Sequence, residues 1–232
     1  MKSIHSTLII VFMLISVSFT FGQKKETRKV GSFTAISAAS GLNVFLKKGS
    51  SSSVVVEADE KKLGNVRTEV KNGTLKLDIE SKSWTWGSGN SEINVYVTYT
   101  THDAIAVSGG VDLESEGVLN ADKLDIAASG GADMELQIKV KDLNIDISGG
   151  ADVDLSGTAD KVNINASGGS DISAYGLTIQ DAIVNASGGA DVNITVERSL
   201  NANASGAADV FYKGKVKDLK SNKSGGADIM RM

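Results

Sequence analysis

The sequence predicts an all-β chain wound as a single-chain parallel β-helix, that is, a β-solenoid. Three observations carry this expectation. The motif Ser-Gly-Gly-Ala-Asp, or a close variant, begins at Ser108, Ser129, Ser148, Ser167, Ser187, Ser205 and Ser224, at spacings of 21, 19, 19, 20, 18 and 19 residues. A period of 19–20 residues with alternation inside it marks one rung of a stacked array rather than a set of loops. Within each copy, residues five, three and one before the serine (Leu143, Ile145, Ile147) share one parity, as do those three, five and seven after it (Ala151, Val153, Leu155). Side chains alternate across a strand, so both sets face inward. Finally, 25 glycines, no proline and only 5% aromatic residues suit short strands filled by small aliphatics. A meander of antiparallel hairpins is the rival arrangement. Parallel stacking is favoured because equivalent residues then meet about 4.8 Å apart, which strict column identity requires.

Taken in order, the chain opens on a targeting segment. Lys2 supplies a positive end, Leu8 to Val17 is almost unbroken apolar sequence, and Thr20-Phe21-Gly22 precedes the polar Gln23-Lys24-Lys25-Glu26. Residues 1–22 therefore read as a signal peptide cleaved after Gly22, with a retained membrane anchor as the alternative. No other segment approaches the roughly 20 apolar residues of a membrane-spanning helix. Cysteine is absent, which excludes disulfides, thiolate metal sites, a cysteine nucleophile and a lipidated N-terminal cysteine. The formal charge of −4 offers no basic face for nucleic acid.

Residues 23–103 read as an N-terminal section of longer, antiparallel or mixed strands that is continuous with the solenoid and caps its first rung. Phe33 to Ile36 enters an extended region. Ser40-Gly41-Leu42-Asn43-Val44 is a degenerate early copy of the motif, with Asn43 standing where later copies carry aspartate. Val54 to Val56 starts a buried strand, residues 59–66 have weak periodicity, and Arg67 to Val70 is again extended. Asn72-Gly73 is a two-residue hairpin turn before the alternation Leu75, Leu77, Ile79. A second alternation, Ile93, Val95, Val97 and Tyr99, leads to the repeat over 104–232.

In the repeat each rung holds two short strands, with Gly-Gly letting the backbone turn between them. Segments such as 137–141, 157–159 and 175–177 vary and absorb the differences in spacing. Lys223 and Arg231 fall in apolar columns of the last copy, where charge suits a terminal rung and opposes edge-to-edge association.

Candidate chemistry is sparse. Asp112, Asp133, Asp152, Asp171, Asp191, Asp209 and Asp228 form one column. Stacked like charges repel, so their carboxylates are expected to accept hydrogen bonds from turn N–H groups and neighbouring serines, in the manner of an Asx turn. Splaying into water and calcium binding are the alternatives, but neither an EF-hand nor a calcium β-roll repeat is present, and no metal or cofactor is expected. A polar column of Asn144, Asp146, Asn163, Asn165, Asn185, Asn201 and Asn203 lies between the inward residues of the first strand. It is read as a hydrogen-bonded ladder on an exposed face, with binding of carbohydrate or a partner as the sharper alternative. His102, the sole histidine after the leader, is read as a surface or turn residue. Trp84 and Trp86 lie one residue apart in a Gly/Ser-rich stretch. Exposed, they stack on a sugar or seat a partner, with Tyr96 and Tyr99 flanking them; buried, they plug the end of the solenoid. The acidic residues repeat uniformly, whereas a catalytic pair would break the repeat in one place, so no enzyme is expected.

The SGGAD rungs, the leader and the Gly41-Leu42-Asn43 segment together resemble the auto-transporter adhesin, head GIN domain family of exported Bacteroidetes-type proteins. Gly41-Leu42-Asn43 stands for its Gly-Ile-Asn signature, and the likeness covers roughly residues 30–228. The resemblance implies a right-handed β-helix and a non-catalytic cell-envelope or surface protein. Its expected location is the periplasm, the outer-membrane surface or the extracellular space. Its expected partner is a cell-surface glycan or an envelope protein. The alternative is a polysaccharide-binding or processing protein that uses the tryptophan stretch or the polar face. The resemblance supplies no catalytic residues.

Overall fold

The structure, a computed structural model, describes residues 23–80 and 92–232. The N-terminal section contains β1 (Lys24–Arg28), β2 (Ala35–Ala39), β3 (Asn43–Lys48), β4 (Ser53–Ala58), the one-turn helix α1 (Glu60–Leu63), β5 (Val66–Lys71), β6 (Thr74–Ile79), β7 (Asn94–Tyr99) and β8 (Ala104–Ser108). The repeat supplies β9 (Asp112–Ser129), β10 (Asp133–Ile147), β11 (Asp152–Ala166), β12 (Asp171–Ala186), β13 (Asp191–Gly206), β14 (Asp209–Lys213), β15 (Asp218–Gly225) and β16 (Asp228–Arg231). They form a parallel β-solenoid of about seven turns.

Parallel pairing follows the motif residue for residue. Asp133 lies opposite Asp152, Val153 opposite Ile172, and Ile164 opposite Val184. Irregularities in register fall between Glu135 and Gln137, Asp154 and Ser156, and Ala174 and Thr178, within or beside the segments whose length varies. The inward columns are buried throughout: Leu143, Ile145, Ile147, Val153 and Leu155 are each at most 3% exposed. Each contributes ~1.5–3 kcal/mol by removal from water, and the burial depends on the rungs above and below.

The backbone turns sharply at Ser-Gly-Gly. Gly168 has φ +84° and lies directly over Gly149, so a Cβ there would sit 2.8 Å from the Gly149 carbonyl oxygen. Hydrogen bonds continue through the corner: Gly169 N donates to Gly149 O at 2.8 Å and Gly189 N to Gly168 O at 2.7 Å. Elsewhere the chain bends gently, so one strand run of 15–18 residues, such as β9 or β10, carries the end of one repeat into the start of the next. The N-terminal strands, at 5–6 residues, are shorter than these rather than longer. Hairpins and a crossover interrupt them, where the repeat runs on.

Stacking order departs from chain order at this end. β2 pairs in parallel with both β6 and β8, while β3 pairs in parallel with both β7 and β9. The rung built from β2 and β3, which carries Gly41-Leu42-Asn43, is therefore inserted between the rung of β6 and β7 and that of β8 and β9. Asn43 lies opposite Asp112, at the head of the aspartate column. Antiparallel strands close the end: β4 on β7, β1 on β4, and β5 on β6. The β5–β6 turn is the expected Asn72-Gly73 hairpin, with both residues at positive φ. Helix α1 was not legible in residues 59–66. A single turn has no detectable period, and this one is held by tertiary contact, with Leu63 buried and Arg28 Nη2 donating to its carbonyl at 2.8 Å.

The other end is open. β15 is exposed along its whole length, and Lys223 and Arg231 lie over Ala204 and Tyr212. No helix among the described residues is long and apolar enough to cross a membrane.

Candidate functional site

In the half-rung before each serine, inward residues are separated by two outward positions, giving two polar columns. The one nearer the corner is a continuous chain of hydrogen bonds. Asn165 Nδ2 donates to Asp146 Oδ1 (2.8 Å), Asn185 to Asn165 (3.1 Å), Asn203 to Asn185 (3.0 Å) and Asn222 to Asn203 (3.0 Å). Parallel register makes this possible, since it sets like amides at rung spacing. The column further from the corner is broken. Asn144 donates to Asp125 at 2.7 Å, but Ile183 and Lys220 interrupt the later rungs. That bond, with a second from Lys123, holds the Asp125 carboxyl below the ordinary carboxylate range.

Between the bonded amides and the corner runs a recess of about 700 Å³. Ser129, Ser148, Ser167, Ser187, Ser205 and Ser224 form one wall, the amide ladder forms the other, and Ala128, Ile147, Ala166, Ala186 and Ala204 lie at its floor. Spanning six rungs, it is about 24 Å long at about 4.8 Å per step. Among the described residues none of these six serine hydroxyls makes a hydrogen bond. Each amide in the ladder's interior commits one N–H and one oxygen lone pair and retains the other of each.

A second recess, of about 670 Å³, flanks the broken column and is lined by the alternating charges of Asp142, Lys161, Asp181, Asp218 and Lys220. Hydrogen bonds from Arg198 and Ser199 hold the Asp181 carboxyl down at about 2.

The seven aspartates of the motif occupy the outside of the corner, in register. Their serines do not reach them. Carboxylates of the column instead accept from the backbone of the next rung, Asp228 N donating to Asp209 Oδ1 at 3.0 Å and the backbone of Asp171 and Asp209 bonding Asp152 and Asp191 in the same way. Burial first, then the neighbouring aspartates, pushes Asp112, Asp152 and Asp191 above the ordinary carboxylate range. No group of three or more acidic or histidine side chains among the described residues is arranged to hold a metal ion.

Trp84 and Trp86 lie outside the described residues. Tyr96 is half-buried on β7, stacked on Phe45 at 5.2 Å, with its hydroxyl donating to Glu57 Oε2 at 2.7 Å and Lys25 Nζ over its ring. Tyr99 points into the core and presents no surface. His102 is not a surface residue but 2% exposed. Its ring packs against Tyr99 at 4.2 Å and Phe33 at 6.2 Å, and Nδ1 lies 3.4 Å from the Thr34 carbonyl. Burial lowers its pKa to about 4, so it is a neutral core group, out of reach of any substrate. Phe33 and Thr34, distant in sequence, close over a position that local sequence shares only with Tyr99, which is why the sequence reads His102 as a surface or turn residue.

The sequence presents these amides as one polar column; it does not show that they separate into two, that only one becomes a bonded ladder, that Asn222 extends it, or that the motif serines form the opposite wall. The available signal was the run of small residues at the serine and just before it.

The family model described as "Putative auto-transporter adhesin, head GIN domain" matches residues 32–216. The chain is similar in fold to a Bacteroides fragilis protein described as a putative adhesin, at 24% identity and TM-score 0.85, with 90% of this chain and 97% of that one covered. A Parabacteroides merdae putative adhesin matches at 17% identity and TM-score 0.72, covering 92% and 97%. A Parabacteroides distasonis protein described as a putative lipid binding protein matches at 17% identity and TM-score 0.71, covering 91% and 98%. No curated protein matches the sequence.

Proposed function

Because the chain belongs to the auto-transporter adhesin, head GIN domain family, we propose that it is a non-catalytic, exported surface-binding protein whose contact face is the recess beside the amide ladder. The observation that carries this reading is the unbroken bonded column from Asp146 to Asn222, bordered by serines whose hydroxyls are free. A reaction centre concentrates distinct groups at one point; here one polar pattern recurs along a recess, which suits extended contact made of many equivalent weak interactions. Residues 1–22 act as the export signal, and the partner is a surface glycan or an envelope protein.

The test uses labelled residues 23–232 on intact bacterial cells and isolated envelopes. Saturable retention is expected, reduced by the double substitution Asn165→Lys/Asn203→Lys, without release of reducing sugar ends. Equal retention of the double variant, or polysaccharide cleavage, would overturn the reading. N-terminal sequencing of the exported chain should begin at Gln23; accumulation of the full chain inside the cell would refute the export assignment.

A second reading places the contact at Trp84 and Trp86. The strands on either side of that stretch, β6 and β7, form the outermost parallel rung, far along the axis from the amide ladder. Trp84→Ala and Trp86→Ala therefore separate the two readings in the same assay.

A further inference from the structure

We infer that the recess beside the bonded ladder takes an uncharged, linear, polyhydroxylated chain, in chemical terms a neutral glycan, laid along the solenoid axis. The inference rests on the preceding reading of this face as the contact surface and supplies its ligand class. Charge is the first argument. Between Asp146 at one end and Lys223 at the other, the recess carries no formal charge, whereas its neighbour alternates acids and lysines. An anionic chain would meet the Asp146 carboxylate and a protein of net charge −4 with only Lys223 to answer it.

Hydrogen-bonding capacity is the second argument. At each interior step one wall offers an uncommitted amide N–H and oxygen lone pair, as at Asn185, and the other offers a hydroxyl that both donates and accepts, as at Ser187. Sugar hydroxyls have this same dual character, and a site built to pair them rejects ligands that leave its polar groups unanswered. An apolar chain would do so, since both walls present polar groups along their length, even though Ala128, Ile147, Ala166, Ala186 and Ala204 form the floor. A peptide strand laid along the recess has no edge to join, because the backbone groups beneath are already paired between rungs and the one open edge, β15, lies only at its end.

Period is the third argument. The ladder rungs recur at about 4.8 Å, the same order as the advance of one ring in an extended glycan, so one ring meets one rung and about five rings cover the rungs from Asp146 to Asn222.

The test measures binding of residues 23–232 to cello-oligosaccharides and laminari-oligosaccharides of two to seven units by calorimetry. Affinity is expected to rise with length to about five units, then level off, and to change little between 50 and 300 mM salt, roughly as contacts without ion release should. Ser187→Phe, which fills the recess at mid-length from an outward position, should weaken binding at least about tenfold. Ser167→Phe on the adjacent rung serves as the second blocking variant if the first melts differently from the parent chain. Absence of binding in both series, indifference to a folded blocking variant, or preference for an oligogalacturonate or a phosphatidylcholine vesicle would overturn the inference. If envelope retention persists and responds to Asn165→Lys/Asn203→Lys while neutral oligosaccharides fail to bind, the contact face stands and the ligand class falls.

Discussion

Replacing Gly168 by alanine tests whether the corner glycines are required for left-handed backbone or for close approach of rungs. Gly168 has φ +84°, and a Cβ would lie 2.8, 2.9 and 3.2 Å from the O, N and Cα of Gly149. Gly73, in the β5–β6 turn, has φ +76° and open space around the corresponding position. Both substitutions incur the left-handed penalty of ~1–2 kcal/mol, partly offset by the lower unfolded-state entropy of alanine, ~0.4–1 kcal/mol. Gly73→Ala should therefore cost about 1 kcal/mol. At Gly168 the obstruction is backbone, which cannot rotate away. The rungs must part, weakening the flanking bonds of 2.8 Å from Gly169 to Gly149 and 2.7 Å from Gly189 to Gly168. Losing two such bonds adds ~1–3 kcal/mol, so Gly168→Ala should cost about 2–4 kcal/mol in total. Equilibrium urea unfolding of both variants supplies the comparison. Costs equal to within about 0.5 kcal/mol would refute the close-approach argument, because conformation alone would then account for both.

Three further outcomes follow from the core and the corner. Ser170, 0% exposed between Ala151 and Ala190 in the same inward column, has a hydroxyl without a partner, so Ser170→Ala should stabilise the chain by about 1 kcal/mol in urea unfolding; a loss of stability would show that the hydroxyl is satisfied. His102 has a folded pKa lowered from 6.5 to about 4, so the stability it confers is complete above pH 6.5 and is lost as pH falls toward 4, by about 3 kcal/mol. His102→Gln should flatten that part of the pH profile, and an unchanged profile would place its origin elsewhere. Asp152 has the opposite sign: its raised pKa means that the column is most stable when protonated and loses stability as pH rises past the ordinary carboxylate range. Asp152→Asn should therefore raise Tm at pH 7 and give no advantage near pH 4; a lower Tm at pH 7 would mean that the charged column is answered by hydrogen bonds.

How far the sequence reaches is clear from particular residues. Leu143, Ile145 and Ile147 declare their direction because alternation and burial are the same fact in a strand with one wet face. Asp152 declares its place at the corner because two glycines and a fixed period precede it. Asn185 declares only that it faces outward. Whether it joins a ladder depends on Asn165 and Asn203 arriving at hydrogen-bond distance, whereas Asn163 and Asn201, equally regular in sequence, have Ile183 between them. The recess depends in turn on how the sheet meets the serine corner, a matter of curvature rather than composition.

The repeat alone determined a stack of parallel rungs, their inward columns and their corners, because these follow from local periodicity and from like residues meeting like, and composition alone excluded cysteine chemistry. The tertiary structure decided what periodicity does not encode. It inserted the rung carrying Asn43 between two later ones, drew His102 into the core, and turned one of two polar columns into the wall of a groove. The physical reason is common to all three: each depends on which distant segments close against one another, and neither side-chain alternation nor spacing carries that information across the chain.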